Sequence, residues 1–135
     1  MIIPSLHDIR LLLTQAKTIA VVGLSPKNNR PSHQVAQYLI DTGYTVIPVN
    51  PGQDHILGLT CYPDLLSIPE PVDIVNIFRR SEDIPPIVDQ AIAIQAAVVW
   101  MQQGIINQEA AQKAETAGIR VVMDKCIKVE HAYLL

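Results

Sequence analysis

This chain contains little charge, few aromatic side chains and almost no cysteine. Charged residues make up 17% of the sequence, below the level of about a quarter that is usual for globular proteins. It has one Trp, one Phe and four Tyr, while hydrophobic residues make up 49%. A composition rich in aliphatic residues and poor in charge suits a parallel sheet that helices bury on both faces. The 135 residues fit one domain, for which we expect the boundaries 1–135.

These absences exclude several classes of protein. The formal net charge of −3 lacks the basic excess that a nucleic-acid-binding surface requires. No run of about eighteen apolar residues occurs, so we expect no membrane span. Residues 1–4 contain no basic segment that leads into an apolar run, so we expect no secretory leader and a cytoplasmic protein. In that compartment Cys61 and Cys126, the two cysteines, are expected to be free thiols.

Residues that commonly act in catalysis or bind metals are present but do not have a suitable spacing. The four histidines are scattered, and neither a Cys-x-x-Cys nor a His-x-x-x-His pair occurs. Ser25 lacks the second glycine of a nucleophile elbow. Glu82 and Asp83 open a predicted helix, where they favour the helix dipole. We therefore expect no metal site and no catalytic group.

Short apolar runs alternate with amphipathic segments along the whole chain. Ser5, Ser81 and Asn107 are the predicted helix N-caps, and segment 53–71 is predicted to be irregular because glycine and proline interrupt it. This alternation predicts an α/β fold, a Rossmann-like open parallel sheet of about five strands with helices on both faces. The predicted strands are 18–22, 44–49, 72–77, 97–100 and 119–123, and the predicted helices are 6–16, 32–42, 81–94, 107–117 and part of 125–135.

Most of the basic residues lie where the predicted strands end. In an open parallel sheet, ligands bind beyond the carboxyl ends of the strands, near the switch in strand order. An acidic protein that gathers cations along that edge is suited to a polyanionic ligand. The alternative is that these residues are ordinary solvated loop residues. Six of the ten Lys and Arg residues are placed in this way, namely Lys27, Arg30, Arg79, Arg80, Lys125 and Lys128.

The loop after the first strand has features of a phosphate site. Gly23 allows close approach of a ligand to the backbone, and Ser25 and Ser32 offer hydroxyl groups. Ser32 begins a predicted helix, whose amino-terminal N–H groups attract anions. From the sequence, Ser32 is as well explained as an ordinary N-cap as it is as a phosphate ligand.

Two common nucleotide motifs are absent from this loop. The chain has no Gly-x-x-x-x-Gly-Lys-Ser/Thr sequence, and Ser25 and Asn28 occupy two glycine positions of the dinucleotide motif Gly-x-Gly-x-x-Gly. Asn50 occupies the position where a dinucleotide enzyme carries an acidic residue for the ribose hydroxyls. An NAD(P)-dependent enzyme is therefore the weaker alternative hypothesis.

Taken together, several segments make the chain resemble the small stand-alone CoA-binding proteins of prokaryotes. These proteins are related to the amino-terminal CoA-binding domain of the succinyl-CoA synthetase alpha subunit. The resemblance extends over residues 19–133. It depends on VVGLSP at 21–26, RPS at 30–32, YTVIPVNP at 44–51, VDIVNIFRRS at 72–81, VWMQQG at 99–104, AG at 117–118 and MDKC at 123–126.

The resemblance implies that CoA lies across the carboxyl edge of the sheet. Gly23, Ser25, Arg30 and Ser32 would serve the phosphates, Asn50 and Pro51 would flank the adenosine, and Phe78 with Arg79 would close the other side. Lys27 and Arg80, from the basic edge, complete the predicted binding set. A ligase would also need a phosphorylatable histidine and a partner domain, and we expect no such domain within these 135 residues. We therefore expect a non-catalytic carrier or sensor of CoA or an acyl-CoA, for which a homodimer is compatible with the low surface charge.

Cys126 suggests an alternative, a CoA-linked redox regulator. It follows the fifth predicted strand, on the ligand edge, and lies between Lys125 and Lys128. Nearby cations favour the thiolate, which is the form that reacts with a disulfide. An inert, partly buried cysteine is the other interpretation.

Overall fold

A computed structural model gives the structure of the protein and describes residues 3–135. The expectation about a leader depends partly on Met1 and Ile2, which lie outside these residues. The helices are α1 (Leu6–Gln15), α2 (Pro31–Asp41), α3 (Ile84–Ala93), α4 (Gln108–Thr116) and α5 (Ile127–Leu134). The strands are β1 (Thr18–Val22), β2 (Thr45–Val49), β3 (His55–Ile56), β4 (Leu59–Thr60), β5 (Ile74–Ile77), β6 (Val98–Met101) and β7 (Arg120–Val122).

Five of these strands form one parallel sheet in the order β2-β1-β5-β6-β7. The chain builds outward from β1 to β2, and then returns to place β5 on the opposite side of β1. The strand order therefore switches between β1 and β5, whose carboxyl ends are neighbours. This arrangement confirms the predicted Rossmann-like sheet, and a ligand crevice is expected at the switch.

Helices cover both faces of the sheet, so its strands are buried on both sides. Along β5 the side chains alternate between the two faces, as the pleat of a strand requires. Trp100, Ile19 and Ile74 pack with α1, α2 and α5 on one face, and Val75 and Ile77 pack with α3 and α4 on the other. Trp100 is fully buried in this core.

Two of the predicted N-caps are confirmed and one is wrong. Ser5 and Asp8 form a reciprocal capping box at the start of α1, which lowers the pKa of Asp8. Asn107 Oδ1 accepts from the backbone N–H of Ala110, 2.9 Å away, at the start of α4. Ser81 caps no α-helix, because a turn of 3₁₀ helix at Ser81–Asp83 precedes α3 and the Ser81 hydroxyl donates to the Ile106 carbonyl.

A small β-hairpin occurs in the segment that was predicted to be irregular. β3 and β4 pair antiparallel across a two-residue turn at Leu57 and Gly58. Both turn residues have positive φ, 57° and 73°, as a type I′ turn requires. Asn or Asp is usual at the first of these positions. Because Leu57 occupies it, the sequence did not predict this turn.

Gly23 sets the distance between the two loops at the switch in strand order. It directly follows β1, has a φ of +84° and donates its N–H to the Val49 carbonyl. A β-carbon on Gly23 would overlap the carbonyl oxygen of Phe78, at the end of β5. The carboxyl ends of β1 and β5 can therefore approach this closely only because residue 23 has no side chain.

We predict that Gly23→Ala destabilises the protein more than Gly118→Ala does. Gly118 has nearly the same φ, +86°, but nothing lies within 4 Å of the place where its β-carbon would be. Gly118→Ala should therefore lower the free energy of unfolding by about 1 kcal/mol, for backbone strain alone. Gly23→Ala adds a steric overlap and should lower it by roughly 2–4 kcal/mol. Urea unfolding measures both values, and equal losses would contradict the close approach.

Candidate functional site

An open depression of about 390 Å³ lies at the switch in strand order. It is formed by the β1–α2 loop (residues 23–30), the first turn of α2 and the end of β5. Six of the ten predicted site residues line it. The lining consists of Gly23, Ser25, Lys27, Arg30, Pro31, Ser32 and Phe78.

Ser25 is held in place by three hydrogen bonds, so the β1–α2 loop has a defined shape. Its backbone N–H donates to Ser32 Oγ at 3.0 Å, and its own Oγ accepts from the backbone N–H of Lys27 at 3.1 Å. The third bond joins His33 Nδ1 to the Ser25 carbonyl oxygen at 2.9 Å. His33 has no role in the sequence-based prediction, because only the folded helix brings its ring back to the loop.

The amino terminus of α2 carries no side-chain cap. Arg30 is the N-cap residue, Pro31 is the first helical residue, and no acidic residue lies in the first turn. Interpreting Ser32 as an N-cap is therefore wrong: this buried serine lies inside the helix, where its hydroxyl accepts from Ser25. The positive end of the helix dipole thus lies at the depression without a neutralising side chain, an arrangement that suits an anion.

The basic side chains near this site differ in whether they form ion pairs with acidic side chains. Lys27 and Arg30 are exposed and line the depression, and Arg79 Nε lies 3.3 Å from the β-carbon position of Gly23. Within residues 3–135, none of these three forms an ion pair. Arg80 does not line the depression, and its Nε contacts the carboxylates of Glu82 at 3.1 Å and Asp83 at 3.3 Å. Two exposed carboxylates therefore compete with any ligand for Arg80.

Asn50 joins the ends of two strands and does not line the depression. Its Nδ2 donates to the Leu24 carbonyl at 3.0 Å, and its Oδ1 accepts from the backbone N–H of Gly52 at 2.8 Å. The amide therefore ties the end of β2 to the β1–α2 loop. Pro51 is exposed on the turn that follows.

A buried pair of amides lies beside this site and was not foreseen from the sequence. Asn76, on β5, donates from Nδ2 to Gln102 Oε1 at 3.2 Å. The same oxygen accepts from the backbone N–H of Ile127, the first residue of α5, at 3.3 Å. Asn76 Oδ1 has no hydrogen-bond partner within the described chain. Gln102 thus connects a central strand with the start of the carboxy-terminal helix.

Cys126 immediately precedes α5 and is half-buried. Both it and Cys61 are free thiols, as predicted, and burial raises the pKa of Cys61. The cations beside Cys126 have other partners: Lys125 Nζ lies 3.9 Å from Glu130, and Lys128 Nζ lies 5.6 Å from the centre of the Tyr38 ring. The sequence could not show these contacts, which weaken the argument that lysines activate the thiol.

Residues 3–135 contain neither a cluster suited to a metal ion nor a helix suited to a membrane. No group of three or more His, Cys, Asp or Glu side chains there is arranged to hold a metal ion. None of the helices in this part of the chain is long and apolar enough to cross a bilayer.

Comparisons with known proteins find relatives of this chain by sequence and by structure. ADP-forming acetate–CoA ligase I of Archaeoglobus fulgidus is 31% identical over 121 residues, which are 82% of this chain but 18% of the ligase. The uncharacterized protein YneT of Bacillus subtilis is 46% identical over 129 residues and is covered to 96%, as is this chain. A hypothetical protein from Pyrococcus horikoshii, of known structure, has a TM-score of 0.95 at 42% identity, with 97% of this chain and 92% of that one covered.

The family comparison covers most of the chain. A family model described as a CoA binding domain matches residues 17–132, which include every residue that lines the depression. The chain therefore belongs to the CoA binding domain family.

Proposed function

We propose that this protein binds coenzyme A, or an acyl-CoA, in the cytoplasm and serves as a non-catalytic carrier or sensor of it. One observation carries the proposal: the uncapped amino terminus of α2 lies at a depression that Lys27 and Arg30 also line. CoA carries a diphosphate and a 3′-phosphate, and both groups bind well to helix amino termini and to basic side chains.

The phosphates have several partners within this depression. Ser32 Oγ accepts a hydrogen bond from Ser25 and still has its own proton to donate. Arg30 and Lys27 extend from the exposed part of the loop, and Arg79 lies over Gly23 on the other side. Gly23 contributes through its missing side chain, because its N–H already donates to Val49.

The rest of CoA would extend along the carboxyl edge in two directions. On one side of the phosphates, Asn50 and Pro51 would flank the adenosine at the end of β2. On the other side, Phe78 with Arg79 would close the site, and the Arg79 guanidinium would face the phosphates. Arg80 would contribute as a nearby cation only where the ligand displaces its acidic neighbours.

The lining of the depression supports binding without catalysis. Among the residues that the structure describes there, none is Asp, Glu, His or Cys, and these residue types are common general bases and nucleophiles. The chain spans 18% of the Archaeoglobus ligase, whose activity we do not extend to this protein. Dinucleotide chemistry is also disfavoured, because Asn50 offers no carboxylate to a ribose and its amide is already bonded.

CoA should raise the melting temperature of the protein more than NAD, NADP or ATP does at equal concentration. A ligand stabilises the folded state by RT ln(1 + [L]/Kd), so thermal shifts rank the ligands by affinity. Acetyl-CoA, measured alongside, would show whether an acyl group is accepted. Stabilisation by NAD without stabilisation by CoA would contradict the proposed function.

Arg30→Ala and Arg79→Ala should each weaken CoA binding while the fold is kept. Each substitution removes a charge-assisted contact worth about 1.5–3 kcal/mol, or roughly ten- to a hundredfold in Kd. Titration with dephospho-CoA identifies the arginine that serves the 3′-phosphate, since its loss should affect CoA but hardly affect dephospho-CoA. Arg10→Ala, on the exposed side of α1, is the control. Wild-type affinity of both site variants in calorimetry would remove these arginines from the site.

A redox role for Cys126 is the second candidate, and its position favours it. Cys126 precedes Ile127, whose N–H donates to Gln102, directly after β6, the strand next to β5, so the thiol lies on the same sheet edge as Phe78. In the reaction, the Cys126 thiolate attacks one sulfur of CoA disulfide. A Cys126–CoA disulfide forms, and the other CoA leaves as its thiolate.

Incubation with CoA disulfide should therefore add the mass of one CoA to the intact protein. Dithiothreitol should reverse the addition, Cys126→Ser should abolish it, and Cys61→Ser should leave it unchanged because Cys61 is buried. Intact-mass spectrometry distinguishes these products. An adduct on Cys61, or none after hours at pH 8, would leave reversible CoA binding as the supported function.

A further inference from the structure

We propose that His33 is a positioning residue for the ligand site, which it prepares by holding the β1–α2 loop in its binding shape. The inference rests on the proposed function, because the shape matters only if the loop receives a ligand. Its evidence is the hydrogen bond between His33 Nδ1 and the Ser25 carbonyl oxygen, 2.9 Å long.

The partner of this bond determines which ring nitrogen carries the proton. A carbonyl oxygen can only accept, so Nδ1 must be the donor and must be protonated. In the neutral ring Nε2 is then unprotonated, and in the imidazolium form Nδ1 keeps its proton. The hydrogen bond to Ser25 is therefore compatible with both the neutral ring and the imidazolium.

The hydrogen bond from His33 adds to the one that Ser32 already makes with Ser25, and together they fix the shape of the loop. Ser32 and His33 are consecutive in α2, and they hold the N–H and the C=O of the same Ser25 residue. The two bonds fix the peptide groups on both sides of Ser25 relative to the helix amino terminus. A ligand that meets a loop already in this shape does not lose affinity to ordering it.

His33 needs no direct contact with the ligand to have this effect. It is half-buried behind the loop and does not line the depression. If its ring is removed, the Ser25 carbonyl loses its partner, and loop conformations become available that do not match the phosphates. The consequence is weaker binding of CoA, although no residue that lines the depression has been changed.

The test compares two substitutions that differ in one donor. His33→Leu removes the hydrogen bond and should weaken CoA binding roughly three- to tenfold, as expected for one neutral hydrogen bond. His33→Asn places an amide N–H close to the position of Nδ1 and should restore affinity to within about twofold. His55→Leu, an exposed histidine on β3, is the matched control. Wild-type affinity of His33→Leu, or equal losses in His33→Leu and His33→Asn, would overturn the proposal.

A measurement on the unmodified protein does not depend on the folding of any variant. Long-range ¹H–¹⁵N NMR of the neutral ring should show the proton of His33 on Nδ1, because the Ser25 carbonyl oxygen requires a donor there. The opposite tautomer would overturn the inference directly. If wild-type protein failed to bind CoA, the proposed function would be wrong, and the tautomer would still decide whether His33 holds the loop.

Discussion

The contact between Gly23 and the backbone of Phe78 is the constraint on which the ligand edge depends. β1 and β5 are neighbours in the sheet although more than fifty residues separate them in the chain. The loops that follow these two strands therefore leave the sheet side by side. Because residue 23 has no β-carbon, the two loops can meet as the floor of a depression. The β1–α2 loop, the first turn of α2 and Arg79 are all placed relative to that meeting point.

No side chain caps the backbone N–H groups at the start of α2, and this lowers the stability of the ligand-free protein. An N-cap side chain typically stabilises a helix by about 1 kcal/mol, and α2 lacks one although Ser32 lies two residues away. Ser32 instead fixes the loop through Ser25, with His33 beside it. The helix thus forgoes the stability of a cap and keeps an open amino terminus beside a loop of defined shape, as the proposed binding function requires.

Sequence patterns predicted the architecture better than the details of the site. Buried strands such as β1 and β6 appear as short, largely apolar runs, and the glycines that follow helices show where those helices end. Their order implied a parallel sheet, and hence the edge where ligands bind. Arg80 was assigned to the ligand from its position, yet side-chain geometry pairs it with Glu82 and Asp83. The His33 bond likewise depends on a helix turning back over a loop, which no local pattern encodes.

The buried amide of Gln102 makes the carboxy-terminal helix part of the same cooperative unit as the ligand edge. Its oxygen accepts from Asn76 within the sheet and from Ile127 at the start of α5. If α5 detaches, the buried Gln102 amide at the end of β6 loses one of the two hydrogen bonds that its oxygen accepts, and an unsatisfied buried group carries a penalty of about 1–3 kcal/mol. Local unfolding of the last helix therefore disturbs the sheet beside Phe78. By linkage, a ligand that orders that edge should slow hydrogen exchange at the far end of the chain.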